Sequence, residues 1–155
     1  MSPPIRIRAA RPDDARAIVE LESHFPSDRI SPRSVRGFLR SPRARVLIAE
    51  RDRAVLGNLI LLLPQRWRAA RIYSVVVDPA ARGAGVGARL VAAAEAAARA
   101  AGREAVSLEV RSDNAAAQAM YAKLGYVTAQ PLPGYYDDGA DGLRLRKTLS
   151  SSRPD

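Results

Sequence analysis

Three glycines separated by single residues, Gly83, Gly85 and Gly87, follow an arginine in the stretch Arg82-Gly83-Ala84-Gly85-Val86-Gly87-Ala88. Behind them, Val86, Leu90, Ala94, Ala97 and Ala101 recur at a helical spacing in an Ala-rich segment that stops at Gly102. The glycines therefore stand at a helix N-terminus. There the first backbone N–H groups have no intrahelical acceptor, and the helix dipole adds positive potential. With no side chains in the way, a diphosphate can approach those N–H groups, and Arg82 adds a full charge beside them. The alternative is a turn that takes Gly for its dihedrals and binds nothing. The spacing departs from a Rossmann site, whose glycines follow the strand directly as G-x-G-x-x-G, with an acidic residue about 20 positions on. The G-K-S/T of a Walker loop is absent.

A second group of polar residues lies in the stretch from Leu108 to Tyr126. Glu109 sits between Leu108 and Val110 in a strand-like run. Asn114 opens a helical segment and Tyr121 follows seven positions later. Two helical turns separate them, so they share one face about 10 Å apart along the axis. Each has a purely structural reading as well: Tyr121 as a core residue, Glu109 as a solvated strand residue, Asn114 as a helix cap.

The elements that must hold these residues are legible in outline. Ile5 to Arg8 alternates as a strand. Asp13 and Asp14 start a helix that runs from Ala15 to His24, and Ser31-Pro32 starts another. Val46–Glu50 and Val55–Leu63 read as a hairpin, with Gly57 marking a bulge or a close approach. A loop over Gln65–Ala70 precedes the strand Ile72–Val77, which Asp78-Pro79 ends. The glycine loop and its helix come next, followed by the strand Ala105–Val110 and a helix to Leu124. A strand begins at Tyr126, a loop spans Pro131–Gly142, and a last strand covers Leu143–Arg146. The order β-α-α-β-β-β-α-β-α-β-β calls for an α/β domain with a mixed sheet, its middle strands joined by short turns. Ser150 to Asp155 reads as a frayed tail.

Arg82-x-x-Gly85-x-Gly87 after a Val-Val-Asp-Pro strand resembles the acetyl-CoA motif of the GNAT superfamily of N-acetyltransferases. Leu108-Glu109-Val110-Arg111, Asn114, Tyr121 and Leu124-Gly125-Tyr126 resemble the bacterial enzymes that acetylate the N-terminal alanine of a ribosomal protein. Gly134-Tyr135-Tyr136-Asp137-Asp138 is similar to their N-Y-Y loop, with Gly134 in place of Asn. His24-Phe25-Pro26 is similar to their first loop, with Ser27-Asp28 where those enzymes have Trp-Ser. The resemblance covers about residues 5–148. It implies a single GNAT-fold domain: a mostly antiparallel central sheet, a splayed parallel strand pair and helices on both faces. It implies acetyl-CoA as acetyl donor, held by residues 82–88, the backbone of Val75, Val76 and Val77, and Asn114. It implies Glu109 as base and Tyr121 as acid, with Phe25, Pro26, Tyr135 and Tyr136 lining the acceptor slot. The acceptor is then a primary amine: a protein N-terminus, or a small amine such as a polyamine, antibiotic or amino acid. A non-catalytic acyl-CoA sensor is a further alternative, against which the retention of both Glu109 and Tyr121 argues.

Composition narrows the class. The 155 residues, 47% hydrophobic and 26% charged, suit one globular domain. Without cysteine there is no thiolate metal site and no cysteine acyl-enzyme, and a single histidine argues against a His-based metal centre. No apolar run approaches the roughly 18 residues of a membrane span, and the start has no signal-peptide core. A cytoplasmic bacterial protein is expected, with room for a homodimer. The net charge of +9 comes from arginines scattered through the chain. With only 5% aromatics it calls for no nucleic-acid partner, and it favours steering of an anionic cofactor.

Overall fold

A computed structural model describes residues 3–24 and 30–149. Segments rich in β-branched and aliphatic residues form seven strands: β1 (Arg6–Ala9), β2 (Ala44–Arg51), β3 (Ala54–Leu62), β4 (Ala69–Val77), β5 (Ala105–Arg111), β6 (Val127–Leu132) and β7 (Gly142–Thr148). Among the described residues four α-helices join them: α1 (Ala15–Glu22), α2 (Pro32–Arg40), α3 (Val86–Ala100) and α4 (Ala115–Lys123). The strands form one sheet in the order β1-β2-β3-β4-β5-β7-β6. Every neighbouring pair is antiparallel except β4–β5. A parallel pair needs a long crossover, and α3 supplies it.

The helices bury two apolar clusters, one on each sheet face. Leu90, Val91, Ala94 and Ala98 of α3 and Tyr121 of α4 pack with Leu59, Leu61, Ile72, Leu108, Val110 and Leu145. On the other face Ile18 of α1 and Val35 of α2 pack with Val46, Ile48 and Ile60. The second layer is narrower: α1 packs on β3 and β4, and α2 on β2. Side chains on that face of β5 and β7 line cavities instead.

Two irregularities shape the centre of the sheet. β4 pairs with β5 only through Ala69–Ala105, Ala70–Val106 and Arg71–Ser107; beyond Arg71 the parallel strands part, as the resemblance implied. Against β3, Ile72 faces Leu61 while Ser74 faces Ile60, so Tyr73 is an extra residue in the ladder. Residues two apart on a regular strand share a face, and one extra residue breaks that rule. Ile72 therefore packs in the α3 core while Ser74 reaches α1. Gly57 permits the close approach that its place in a strand suggested. A Cβ there would lie 2.8 Å from the Val76 carbonyl oxygen and 3.3 Å from the Leu90 side chain.

Several boundaries differ from the sequence reading. Ala69 and Ala70, read as loop, start β4, because β5 offers them a parallel partner. Pro131, read as loop, pairs with Leu143 in β6, an edge strand where a missing N–H is tolerated. Tyr126 precedes β6 and is buried in the α3 core. α1 ends at Glu22, leaving His24 exposed beyond it. Asp14 does not cap α1 with its side chain. It takes a bond from the Arg11 amide at 2.6 Å and pairs bidentately with Arg8 at 2.8 and 2.9 Å. That pairing with Arg8 holds its carboxyl below the usual range, against the opposing effect of burial. The tail beyond Leu149 lies outside the described residues.

Candidate active site

The glycine loop forms as its chemistry requires. The Asp78 carboxylate accepts the Ala80 amide at 2.9 Å and closes a short 3-10 turn over Pro79–Ala81. Gly83 and Gly85 adopt positive φ of 88° and 75°, and Gly85 is the N-cap residue of α3. A side chain at φ near +75° is strained, so these two positions favour Gly. The amides of Val86, Gly87 and Ala88 are the first of the helix, and residues 82–85 are exposed around them. Among the described residues nothing lies within 4 Å of where a Cβ would stand on Gly83 or Gly85, so the cradle is open there. Next to it runs the edge of β4 that β5 has left, which includes Val75, Val76 and Val77. A loop of outward amides beside an unpaired strand edge fits a diphosphate joined to an amide-bearing arm.

The gap between the strands opens into a cavity of about 530 Å³, lined among others by Glu22, Ser74, Val75, Glu109, Asn114 and Tyr121. Asn114 is the N-cap of α4: its Oδ1 accepts the Ala117 amide at 3.0 Å, which fixes the side chain at the cavity wall. Tyr121 is 5% exposed, and its hydroxyl has no hydrogen-bond partner among the described residues. Burial pushes this phenol up, so it keeps its proton. Its ring meets Tyr126 edge-on, with centroids 5.4 Å apart. Tyr126 in turn donates to Glu95 at 2.9 Å, and Lys147 donates to the other Glu95 oxygen at 2.9 Å. The buried network sets the Tyr121 ring from behind.

Glu109 stands on the opposite side of the cavity from that network, with its side chain 6% exposed. Arg71 Nε donates to Glu109 Oε1 at 2.8 Å, and Arg71 Nη2 donates to the same oxygen. Arg144 Nε donates to Oε2 at 3.4 Å, and the Tyr135 hydroxyl donates to Oε1 at 3.4 Å. A second carboxylate shares the cavity. Glu22, at 3% exposure, takes the Ser74 hydroxyl on Oε1 at 2.7 Å, with the Asn58 amide at 3.5 Å. The bulge at Tyr73 makes this contact possible.

The loop from Pro133 to Asp141 closes one side. Tyr135 and Tyr136 meet edge-on at 5.1 Å, and the Arg111 guanidinium lies 5.1 Å from the centre of the Tyr136 ring. Asp138 pairs with Arg111 at 2.7 Å, and Asp141 Oδ1 accepts the Gly134 amide at 2.8 Å. Asp138 and Asp141 are thus engaged in holding the loop, and only Asp137 of the three lines the cavity. Phe25 and Pro26 lie outside the described residues.

The structure brings Glu109, Tyr121, Asn114, Val75, Val76, Tyr135 and Tyr136 to one cavity. It adds Arg71, Ser74 and Glu22 to them. Glu22 carried a signal in the sequence: an acid on the same helical face as Ile18 and Leu21. Arg71 and Ser74 carried none, since their partners lie 38 and 52 residues away.

The chain matches the Acetyltransferase (GNAT) family over residues 13–126. It is 31% identical to an uncharacterized N-acetyltransferase of Methanocaldococcus jannaschii over 107 residues, 68% of this chain and 67% of that one. It is 28% identical to a candidate [ribosomal protein bS18]-alanine N-acetyltransferase of Bacillus subtilis, over 93% of this chain and 95% of the other. An uncharacterized Mycobacterium leprae protein shares 40% identity over 49% of this chain, but that stretch spans only 21% of its length. The ribosomal-protein-S18-alanine N-acetyltransferase of Escherichia coli has the same fold, with a TM-score of 0.86, 22% identity and 98% of each chain covered. So does a candidate acetyltransferase of Salmonella typhimurium solved with its cofactor acetyl-CoA, with a TM-score of 0.84, 21% identity and 98% of each chain covered.

Proposed function

As a member of the acetyltransferase (GNAT) family this chain is an N-acetyltransferase, and we propose that it moves the acetyl group of acetyl-CoA onto the α-amine of a protein or peptide N-terminus. The observation that carries the reading is the cavity itself. It joins the gap between β4 and β5 to a wall of Glu109, Tyr135 and Tyr136, on a sheet face that α1 and α2 cover only in part. An extended chain can lie on such a face with its first amine in the gap. The B. subtilis relative, matched over nearly its whole length, supports a protein N-terminus, and the acetyl-CoA-bound Salmonella neighbour supports the donor.

Direct transfer in a ternary complex needs three services from the protein. A base must take the ammonium proton, donors must meet the oxyanion, and an acid must protonate the departing sulfur. Tyr121 gives its hydroxyl proton to the sulfur, a role suited to a phenol that burial keeps protonated. On the parted β4 edge the backbone N–H groups of Val75 and Val77 face the acetyl oxygen, while that of Val76 points to β3. Glu109 takes the proton from the amine. A second reading gives that proton to Glu22. It is favoured by position: Glu22 is buried at the same cavity and takes the Ser74 hydroxyl beside the parted edge of β4.

The test is release of CoA thiol from acetyl-CoA against two acceptor panels. One holds short peptides with Ala, Ser and other starts; the other holds polyamines, aminoglycosides and free amino acids. Turnover of peptides is expected. Turnover confined to small amines reassigns the acceptor.

A further inference from the structure

Beside the main cavity lies a second one of about 370 Å³ on the same sheet face, and Arg71, Glu109 and Tyr135 line both. The register shows how it is built. Arg71 pairs with Ser107 across the β4–β5 ladder, and Ser107 pairs with Arg146 across β5–β7. One rung further, Glu109 pairs with Arg144. Trp67 stands over the rim, 60% exposed; its carbonyl accepts Arg103 Nη1 at 2.6 Å. Among the described residues the lining carries three cations, Arg71, Arg144 and Arg146, against one anion, Glu109. Glu109 engages Arg71 and the Nε of Arg144, and Arg144 also donates to Gln130 at 3.0 Å. The Arg146 side chain forms no ion pair or hydrogen bond with a described residue.

We propose that this second cavity is the acceptor's anionic subsite: it receives an acidic side chain at the second or third position of a peptide whose α-amine lies in the gap by Ser74. The assignment rests on the peptide reading above and names its substrate class. Strands in a sheet stand about 4.8 Å apart, so the two strand spacings from β4 to β7 amount to about 10 Å. An extended peptide rises about 3.3 Å per residue, so its second or third side chain reaches the Arg144–Arg146 pair. Arg146 and Arg144 are two apart on β7 and share a face, presenting two guanidiniums to carboxylates. The same excess charge repels polyamines, aminoglycosides and basic N-terminal sequences.

Trp67 is the only tryptophan of the chain, so its fluorescence reports the occupancy of this cavity independently of turnover. The full chain, with CoA present, is titrated with two C-terminally amidated peptides, one starting Ala-Asp-Glu and one starting Ala-Lys-Arg. The acidic peptide is expected to shift the emission saturably and to bind at least about fivefold more tightly, the scale of one partly exposed ion pair. Arg146→Glu should reverse the order of the two peptides, and Arg146→Gln should level them. Because Arg146 is exposed, both variants should keep the wild-type melting temperature. Equal binding of the two peptides, or a preference that survives Arg146→Glu, overturns the subsite. Saturable binding of the acidic peptide without its acetylation upholds the subsite and removes the peptide as acceptor.

Discussion

The two sides of the β4–β5 gap are built on different principles. On the proposed cofactor side the groups on offer are mostly backbone: the amides at the start of α3 and the edge of β4 that β5 leaves unpaired. Its side chains come from two short stretches, and its walls are the apolar core beneath α3 and α4. On the acceptor side they are side chains from α1, β4, β5, β7 and the loop before β7, joined by ion pairs across 35 to 38 residues of sequence. Backbone amides serve any acyl-CoA, whatever the acceptor. Charged side chains on an open face distinguish one amine from another.

If the division holds, substitutions on the two sides should separate in kinetics. The largest effect is expected at Tyr121, where the sides meet. Tyr121→Phe keeps the ring packed on Tyr126 and removes the proton donor. It should lower kcat by about 100-fold or more, with the KM for acetyl-CoA little changed. A variant with full turnover removes Tyr121 from the acid role.

Glu109→Gln and Glu22→Gln sharpen the acceptor side. The carboxylate that takes the amine proton should, when replaced, flatten the rising limb of the pH–rate profile and cost about 100-fold in rate. The primary assignment expects this at Glu109. The same loss at Glu22 alone, with the Glu109→Gln profile unchanged, moves the base to α1 and leaves Glu109 as the anchor of Arg71 and Arg144.

Gly85→Val probes the cofactor side alone. A β-branched residue held at φ of 75° is strained by roughly 1–2 kcal/mol, so the loop should shift away from its amide cradle. The expected result is about a tenfold rise in the KM for acetyl-CoA, with the ranking of acceptors unchanged. A changed ranking would break the division between the two sides.

The smallest effect belongs to Asp14, which ties the start of the helix carrying Glu22 to β1. Its carboxyl is lowered by Arg8, so its contribution is present above the unfolded carboxylate range, near 3.9, and is lost as pH falls through the folded value. Asp14→Asn should cost about 1 kcal/mol at neutral pH, and the gap from wild type should close below about pH 4. Thermal melts across that range check it.

The same contrast explains how far the amino-acid sequence alone is legible. The elements of the proposed cofactor side can be read because their determinants are local. Glycines at a helix start and an Asn and a Tyr two turns apart lie within short windows, and the order of strands and helices follows hydrophobic period. The acceptor side cannot be read in that way. Whether Glu109 meets solvent or two guanidiniums depends on the register of β5 against β7 and on where β4 leaves β5. Ser74 reaches Glu22 because of one extra residue at Tyr73, and alternation alone would send it to the other face. The aspartates after Tyr136 offer charge for a cationic acceptor, yet two of the three hold their own loop. Pro131 looks like a breaker and sits in a strand, because an edge position tolerates it.

The central claim concerns where the acetyl group goes. Incubating the protein with acetyl-CoA and an Ala-start peptide that also carries an internal lysine, then locating the new acetyl group by tandem mass spectrometry, tests it most directly. Acetyl on the α-nitrogen and an unmodified lysine side chain are the predicted result. Acetyl on the lysine, or CoA release seen only when a small amine replaces the peptide, would contradict it.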